Sequence, residues 1–553
     1  MSAWKVVVIS VIAVSCNAAP VSPDAAVFDA PPPLPALPQP KAVETEQFAS
    51  STFCAQCHLR GDGGSTAMSN AAGDDVSPVK LWRGSMMALA ARDPFYLAVF
   101  EKEISENPAE RESIEALCTR CHAPAGSIAS ERDEPKISFH ELTSGTSTNA
   151  SIGRDGITCS LCHQIRDSDL GRDSSFSGGF SVDFARKMYG PHANPDTEPM
   201  EMFIRYTPVQ SDHIQSSALC ATCHTVIVPG LEGQEVVEQA PYLEWLNSSY
   251  NDEIGGALST SCQGCHMPRT NEDGTPIETA IAKYPEGLNR RGRYSKHTLI
   301  GGNSYMLRLM ATFSDWVGSN VPDEALLANA ELSEEHLRKA ASLELLEATI
   351  VRDEASLQVR IDNLAGHKLP TGYPTRRAWL HVTVRDLSGQ VVFESGGYDA
   401  SGRIVGLADT DSVAALHTDE ITSGGQVQIY EQVLVDADGL PTLRALDVSA
   451  VLKDNRILPK GWSDTHSQIA RIRPIGVEGD RSFAPGTDTV TYRFPAGGNA
   501  QLEATAELLY QTIPPAAIEA TAGYRTAASE RFVEMATQID NRPIQIAIAN
   551  LSF

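Results

Sequence analysis

The chain has 553 residues, of which 42% are hydrophobic and 21% are charged, so it is long enough for two or three domains with buried cores. Its formal charge of −26 at pH 7 argues against nucleic acid as a partner and favours a soluble, self-repelling body. All but one of its 11 cysteines lie in one repeated motif in the first half of the chain.

The N-terminus is typical of an export signal. Lys5 precedes an apolar run over residues 6–14, which is too short to span a bilayer, for which about 20 residues are needed. Cys16 follows small residues at the position where bacterial lipoproteins are cleaved and lipidated. We predict a signal over residues 1–16 and a lipid on Cys16; the alternative is cleavage after Ala18 or Ala19. In both cases the protein is expected to be exported. A lipid on Cys16 would anchor it in the periplasm or at the outer membrane or cell surface.

Residues 17–46 are rich in proline and alanine and lack a pattern of buried positions. This composition is typical of a semi-extended linker. We therefore predict a tether that holds a folded body away from a membrane.

Five copies of Cys-x-x-Cys-His follow, numbered here motifs one to five. They are Cys54/Cys57/His58, Cys118/Cys121/His122, Cys159/Cys162/His163, Cys220/Cys223/His224 and Cys262/Cys265/His266. Each has the pattern of a c-type haem attachment site, in which both thiols bind the porphyrin and the histidine is the proximal iron ligand. With 14 histidines in 553 residues, chance would place one after all five pairs with a probability of about 10⁻⁸. The sequence thus predicts five covalent haems.

The cysteines also divide the folded body. Residues 47–320 hold every motif and many short, turn-marked segments, which predicts a penta-haem cytochrome domain of short helices and loops around stacked haems. A linking helix is predicted over residues 321–345. Residues 346–553 alternate in the manner of strands, at 357–361, 379–384, 391–394, 427–435, 490–494, 502–509 and 544–549, with a helix over 516–538. They predict an immunoglobulin-like β-sandwich with an added helix.

Five irons need up to five further ligands on their distal sides. The leading candidates are His213, seven residues before Cys220; His297, beside the basic cluster Arg290, Arg291, Arg293 and Lys296; His192, in a Gly-Pro-His turn; and His367, in a Gly- and Pro-punctuated loop of the sandwich. The basic cluster could pair with haem propionates. For each candidate the alternative is an ordinary surface loop.

Met86 and Met87 are further distal candidates, because a thioether ligand would raise the potential of its haem; buried methionine also serves as core packing. His140, which is followed by the acidic Glu141, is a weaker candidate still. The other histidines, His336, His381, His417 and His466, are expected to be structural or exposed.

Several segments resemble the cytochrome c-552/4 type of bacterial multihaem cytochromes. They are residues 82–94, 158–164, 206–213 with Ala218-Leu219-Cys220, and 238–250. Gly301-Gly302-Asn303, residues 366–386 and residues 453–462 resemble a subgroup with a C-terminal β-domain, so the likeness covers most of residues 50–540. The resemblance implies a compact haem stack, electron transfer outside the cytoplasm and the five motif histidines as iron ligands.

Two functions are compatible with this pattern. The first is an electron conduit between other redox proteins of the cell envelope, and it requires only the five motifs. The alternative is an oxidoreductase that acts on a small nitrogen or sulfur oxyanion at one haem with an open distal position. The sandwich could also dock a partner or a second copy. Asp436-Ala-Asp438-Gly439 resembles the start of a calcium loop but lacks its remaining ligands, so a turn is expected there.

Overall fold

The computed structural model of the protein describes residues 34–60, 66–230, 233–407 and 416–553. The motif domain (residues 47–320) is helical, and the sheet domain (residues 341–553) follows it after one helix. The predicted signal and Cys16 lie outside the described residues. Within the described ranges, no helix combines the length and the apolar character needed to cross a bilayer.

Short helices build the motif domain. They are α1 (Ser51–His58), α2 (Pro78–Arg83), α3 (Pro94–Glu106), α4 (Arg111–His122), α5 (Pro124–Ala129), α6 (Phe139–Ser144), α7 (Thr148–Arg154), α8 (Cys159–Cys162), α9 (Glu198–Ile204), α10 (Ser217–His224), α11 (Pro241–Leu246), α12 (Cys262–His266) and α13 (Ser304–Thr312). Two small sheets join them: β1 (Lys187–Gly190) pairs in parallel with β2 (Thr207–Gln210), and β3 (Val226–Pro229) pairs antiparallel with β4 (Glu235–Gln239).

The five motifs occupy α1, α4, α8, α10 and α12, and in each case the helix ends at or just before the motif histidine. Local capping starts several helices: the side chains of Ser216 and Ser261 accept from backbone amides of α10 and α12, and Asp93 does so for α3. Isolated helices this short are marginal in water. Their stability therefore depends on what they pack against.

The sheet domain follows α14 (Asp323–Leu337). Its strands are β5 (Ala341–Val351), β6 (Glu354–Asn363), β7 (Arg377–Asp386), β8 (Val391–Ser395), β9 (Glu420–Ile421), β10 (Ile429–Val435), β11 (Ala450–Asp454), β12 (Thr487–Pro495), β13 (Leu502–Gln511) and β14 (Ile544–Ser552), with helices α15 (Ile469–Ile472), α16 (Pro515–Ala522) and α17 (Ala527–Ala536). One sheet has the order β11-β10-β7-β13-β14, with β8 also paired to β7; the other has the order β5-β6-β12-β9.

The two sheets share one apolar core. Alternate residues of β6 and β12, including Val359 and Val490, pack with those of β7 and β13, including Val382 and Leu508, and all four side chains are fully buried. A layered, sheet-rich domain is thus present, while its immunoglobulin-like character stays a prediction. Each predicted strand falls on an observed one, but β5, β9 and β11 were not predicted.

The helices differ from their predicted bounds. The linking helix ends at Leu337, and the strand β5 already begins at Ala341. The single helix predicted over residues 516–538 is two helices, because the chain turns between Ala522 and Ala527 with Arg525 at a φ of 54°. Helix α17 packs on α3 of the motif domain, where the rings of Phe95 and Phe532 lie 5.2 Å apart.

The described part of the predicted tether, residues 34–46, is not a tether. Leu34 and Leu37 are buried against the motif domain, and Trp316 donates to the Leu34 carbonyl at 3.1 Å and accepts from the Leu37 amide at 2.7 Å. These leucines supply the apolar contact that the proline- and alanine-rich composition concealed. The predicted tether therefore does not extend to residue 46.

The shared core predicts how much stability the sheet domain loses when one buried side chain is shortened. Leu508→Ala removes a fully buried side chain and should cost about 2–5 kcal/mol of the free energy of unfolding. The control Ile548→Ala alters a strand residue that is 50% exposed and should cost much less. Urea unfolding followed by circular dichroism measures both, and equal losses would contradict the assignment of this core.

Candidate haem sites

All five motifs open into one cavity, called here the central cavity, with a volume of about 1080 Å³. Its lining includes the ten motif cysteines and the five motif histidines. Residues of the sheet domain, such as His367, Tyr373 and Arg376, close it on one side. The fold thus brings together motifs that are up to 212 residues apart in sequence, from Cys54 to His266.

Backbone carbonyls fix the orientation of four motif imidazoles. Nδ1 of His58, His122, His163 and His266 lies 2.9, 3.0, 2.7 and 2.6 Å from the carbonyl oxygens of Ile281, Ala90, Tyr189 and Ile300, respectively. An Nδ1–H that donates to a carbonyl leaves Nε2 as the free lone pair, which is how a ligating imidazole is oriented in metal sites.

Burial also sets the protonation state of these imidazoles. It lowers the pKa of all five motif histidines below the ordinary value, to about 4 at His122 and about 3 at His266. They are therefore neutral at pH 7, which is the form that binds iron.

The donor set of the cavity fits c-type haem. None of the ten motif cysteines forms a disulfide, so both sulfurs of every motif can bind a porphyrin. Three cationic side chains, Arg293, Lys339 and Arg376, line the cavity and could pair with propionates. Lys339 and Arg376 carried no sequence signal for this role.

Thiols of different motifs lie side by side. The pairs are Cys54 with Cys159, Cys121 with Cys223, and Cys220 with Cys262; in each, the side-chain hydrogen bond and then burial raise the pKa of one thiol. Burial, and then the charge of Cys223, also raise the pKa of Cys162 to about 12. Motif four therefore borders motifs two, three and five, and motif three borders motif one.

Two of the predicted distal histidines face a motif histidine. The ring centroids of His297 and His163 are 6.3 Å apart, and those of His367 and His266 are 6.4 Å apart, with interplanar angles of 22° and 13°. Since a metal–imidazole bond is about 2 Å long, two imidazoles that bind one iron from opposite sides hold their centroids roughly 6 Å apart. Both separations fit this arrangement.

These two distal candidates also have the required orientation. Nδ1 of His297 lies 2.9 Å from the Ser295 carbonyl oxygen, and Nδ1 of His367 lies 2.9 Å from that of Lys368. Burial lowers the pKa of both, to about 4 at His297. Each can thus present a neutral Nε2 to the cavity.

His336 was expected to be structural or exposed, yet it lines the central cavity. Its ring centroid is 5.3 Å from that of His266, at an interplanar angle of 60°, and burial lowers its pKa to about 4. The separation is shorter than that of the two facing pairs, which makes His367 the better partner for His266. No spacing rule along α14 could have revealed the contact.

His213 was predicted to be a distal ligand, but its ring nitrogens do not face the cavity as free ligand atoms. Its Nε2 lies 2.8 Å from the Ile165 carbonyl oxygen, and its Nδ1 lies 2.7 Å from the Ser211 hydroxyl. Both ring nitrogens are occupied by hydrogen bonds, so neither is presented to an iron. The ring packs edge-on to Tyr189 instead, at 4.9 Å.

His192 lines the central cavity, and burial, followed by Arg291 and Arg293, lowers its pKa. The predicted basic cluster holds the loop around it: Arg293 donates to the Pro191 carbonyl at 3.2 Å, and Arg291 donates to the Ala193 and Asn194 carbonyls at 2.6 and 3.1 Å. Met86 and Met87 also line the cavity. All three remain candidate ligands.

Among the described residues, no imidazole faces His58, His122 or His224 in the manner of the two pairs. The ring of Tyr96 instead stacks on His122, with centroids 3.7 Å apart and planes 1° apart. Near motif two, Glu238 lines the cavity, and burial, followed by the charge of Glu103, raises its pKa to about 7. Glu238 is close enough to raise the pKa of Cys118 and of Cys121.

Two other groups of side chains could hold a metal ion by residue type, but their polar atoms are engaged in hydrogen bonds. Asp436 accepts from the backbone amides of Asp438 and Leu440 at 3.0 and 2.9 Å, which forms a turn and gives no support to calcium. His417, Asp480 and Asp488 place ligand atoms within 4.8 Å of one another. However, the amide nitrogens of Gln428 and Asn455 face His417 Nδ1, which puts the proton on Nε2, 2.7 Å from Asp480.

The comparisons with known proteins support the fold. A crystal structure of a penta-haem cytochrome c552 from Thermochromatium tepidum superposes with a TM-score of 0.50 at 17% sequence identity, over 92% of this chain and 100% of that chain. The chain thus shares the fold of a multihaem cytochrome. Neither a protein-family model nor a curated protein matches the sequence.

The motif geometry predicts the haem content. Pyridine haemochrome analysis of the mature protein should give five haems per chain, because every motif offers two free thiols and an imidazole. The double variant Cys262→Ser/Cys265→Ser should give four, whereas Ser259→Ala, just outside motif five, should leave five. A wild-type value below five would show that a motif is not used.

Proposed function

We propose that this chain is an extracytoplasmic penta-haem c-type cytochrome of the c-552/4 type, in the subgroup with a C-terminal sheet domain, which carries electrons between redox partners. The observation that carries the proposal is the single cavity that all five motifs enter. When bound, haem supplies one-electron chemistry. The residues of the chain attach the haems, orient the ligands and exclude water.

The contacts between motifs support a branched conduit. Porphyrins that are bound through neighbouring thiols should themselves be neighbours. The haems of motifs one, three and four would therefore form a row, and the haems of motifs two and five would each adjoin the haem of motif four. A haem at motif four would then connect all the others. This topology suits a relay that collects electrons at one end and delivers them at another.

Negative charge in the cavity would favour low potentials. Among the described lining residues, the acidic groups Asp93, Glu103 and Glu238 equal the cations in number, so the lining leaves no excess of positive charge. Two propionates from each haem add further negative charge. Negative charge stabilises the ferric form, as do two histidine ligands relative to a methionine. We therefore propose a donor of low-potential electrons, held at the envelope by a lipid on Cys16 and served by other redox proteins.

Removing a facing histidine tests the ligand assignment. Carbon monoxide binds ferrous haem only at a free distal position, so His297→Ala should raise carbon monoxide binding by one haem per chain in the dithionite-reduced protein. His381→Ala is the control, because His381 lies in β7 and hydrogen-bonds with Glu507 and Glu394, outside the central cavity. An absorption spectrum of H297A that does not differ from that of the wild type would rule out His297 as a ligand.

A second candidate function is catalysis at motif two, on a small nitrogen or sulfur oxyanion. It is favoured by Glu238, a carboxyl group that lines the cavity beside Cys118 and has no hydrogen-bond partner among the described residues. A pKa of about 7 lets it donate a proton at neutral pH. Protonation of Glu238 would favour the approach of an anion, because the carboxylate would repel it.

Glu238 makes the potential of the neighbouring haem depend on pH. Because its pKa is raised, Glu238 is neutral below about pH 7 and negative above it. The added charge disfavours reduction, so the potential at motif two should fall as pH rises through about 7. Glu238→Gln should remove this step and keep the higher potential. Spectroelectrochemical titration measures it, with Glu235→Gln on the exposed part of the same strand as the control; an unchanged step in E238Q would exclude Glu238.

A further inference from the structure

The loop that carries His367 belongs to the sheet domain but is inserted against the motif domain. It connects β6 with β7, and Leu369 exchanges backbone hydrogen bonds with Ile457 at 3.0 and 2.9 Å. The Asn363 side chain donates to the His367 carbonyl at 2.9 Å. At Gly366, an added Cβ would lie 3.0 Å from the Tyr250 side chain and 3.2 Å from that of Trp245. The loop thus packs so closely on the motif domain that a larger residue at this position would require these side chains to shift by a few tenths of an ångström.

Next to His367, four charged side chains form a buried cluster across the domain interface. Lys368 Nζ lies 2.7 Å from Asp454, and Arg456 lies 2.7 Å from Asp454 and 2.9 Å from Glu244. Lys368, Asp454 and Arg456 come from the sheet domain. Glu244, on α11 of the motif domain, is completely buried.

Glu244 contacts the His367 loop directly as well. Its Oε2 accepts from the Thr371 hydroxyl at 2.7 Å and from the Lys368 backbone amide at 3.2 Å. Glu244 therefore holds the loop at the residue that directly follows His367 and again at Thr371. The cluster has two positive and two negative groups, and losing one charge would leave an unpaired buried ion, which is strongly destabilising.

We propose that Glu244 is a positioning residue that fixes the His367 imidazole opposite His266, so that the sheet domain supplies the distal ligand of the haem at motif five. This inference rests on the proposed function, in which His367 binds that iron. The cluster acts on the backbone of the loop, and the loop carries the ligand. The sheet domain thereby becomes part of the haem site.

The test is Glu244→Gln in the full-length, haem-loaded protein. The amide keeps the size of the side chain but leaves Arg456 and Lys368 facing a single carboxylate. We expect the haem content to stay at five, while carbon monoxide binding to the reduced protein rises by up to one haem per chain and the low-spin ferric signal falls by the same amount. An unchanged spectrum would overturn the proposal.

The control is Glu235→Gln. Glu235 also pairs across the interface, with Arg471, but it is exposed, and it has no hydrogen bond or ion pair with the His367 loop among the described residues. It should leave carbon monoxide binding unchanged. If the loss of any ion pair loosened the interface, carbon monoxide binding would instead rise alike in E244Q and E235Q.

Two further variants separate the possible failures. His367→Ala should add one full carbon monoxide-binding haem; if it does not, His367 is not a ligand and the ligand assignment fails. If H367A responds but E244Q does not, only the positioning role fails. Should E244Q not fold, Thr371→Val removes one hydrogen bond to Glu244 and should produce a smaller change in the same direction, and no change would overturn the proposal.

Discussion

The attachment of a porphyrin through two thiols and one imidazole within five consecutive residues is the constraint on which the rest of the structure depends. It requires each motif to lie on a short helix whose end faces one cavity. Such helices are too short to be stable alone. Their packing around shared haems explains why a domain with few long elements has a defined shape, and why thiols from different motifs lie against one another.

Both domains contribute charged side chains and candidate iron ligands to the central cavity. The motif domain provides the five motif histidines and four of the distal candidates, namely His297, His192, Met86 and Met87. The sheet domain brings His367 and Arg376 to the same cavity, and Arg444 pairs there with Glu103 at 3.1 Å. The interface between the domains is therefore part of the lining of the central cavity. A change in the packing of the sheets could alter the potential of a haem without touching its attachment.

The sequence predicts those features that local spacing encodes. The five motifs and strands such as β7 and β13 are readable because their patterns repeat within a few residues. His336, Arg376 and Glu244 were missed, because each acquires its role through contacts with residues far away in the chain. His213 shows the converse: its closeness to Cys220 in sequence suggested a ligand, but Ile165 and Ser211 occupy both ring nitrogens. Residues 17–46 look like a linker by composition, yet Leu34 and Leu37 are hydrogen-bonded to Trp316.

A crystal structure of the haem-loaded protein would test the branched conduit and its ligands together. We expect Nε2 of His297 and His367 on the irons of motifs three and five, and the porphyrin of motif four in van der Waals contact with those of motifs two, three and five. If either imidazole points away from its iron, or if protein separates the motif-four haem from these three neighbours, the proposed relay is wrong.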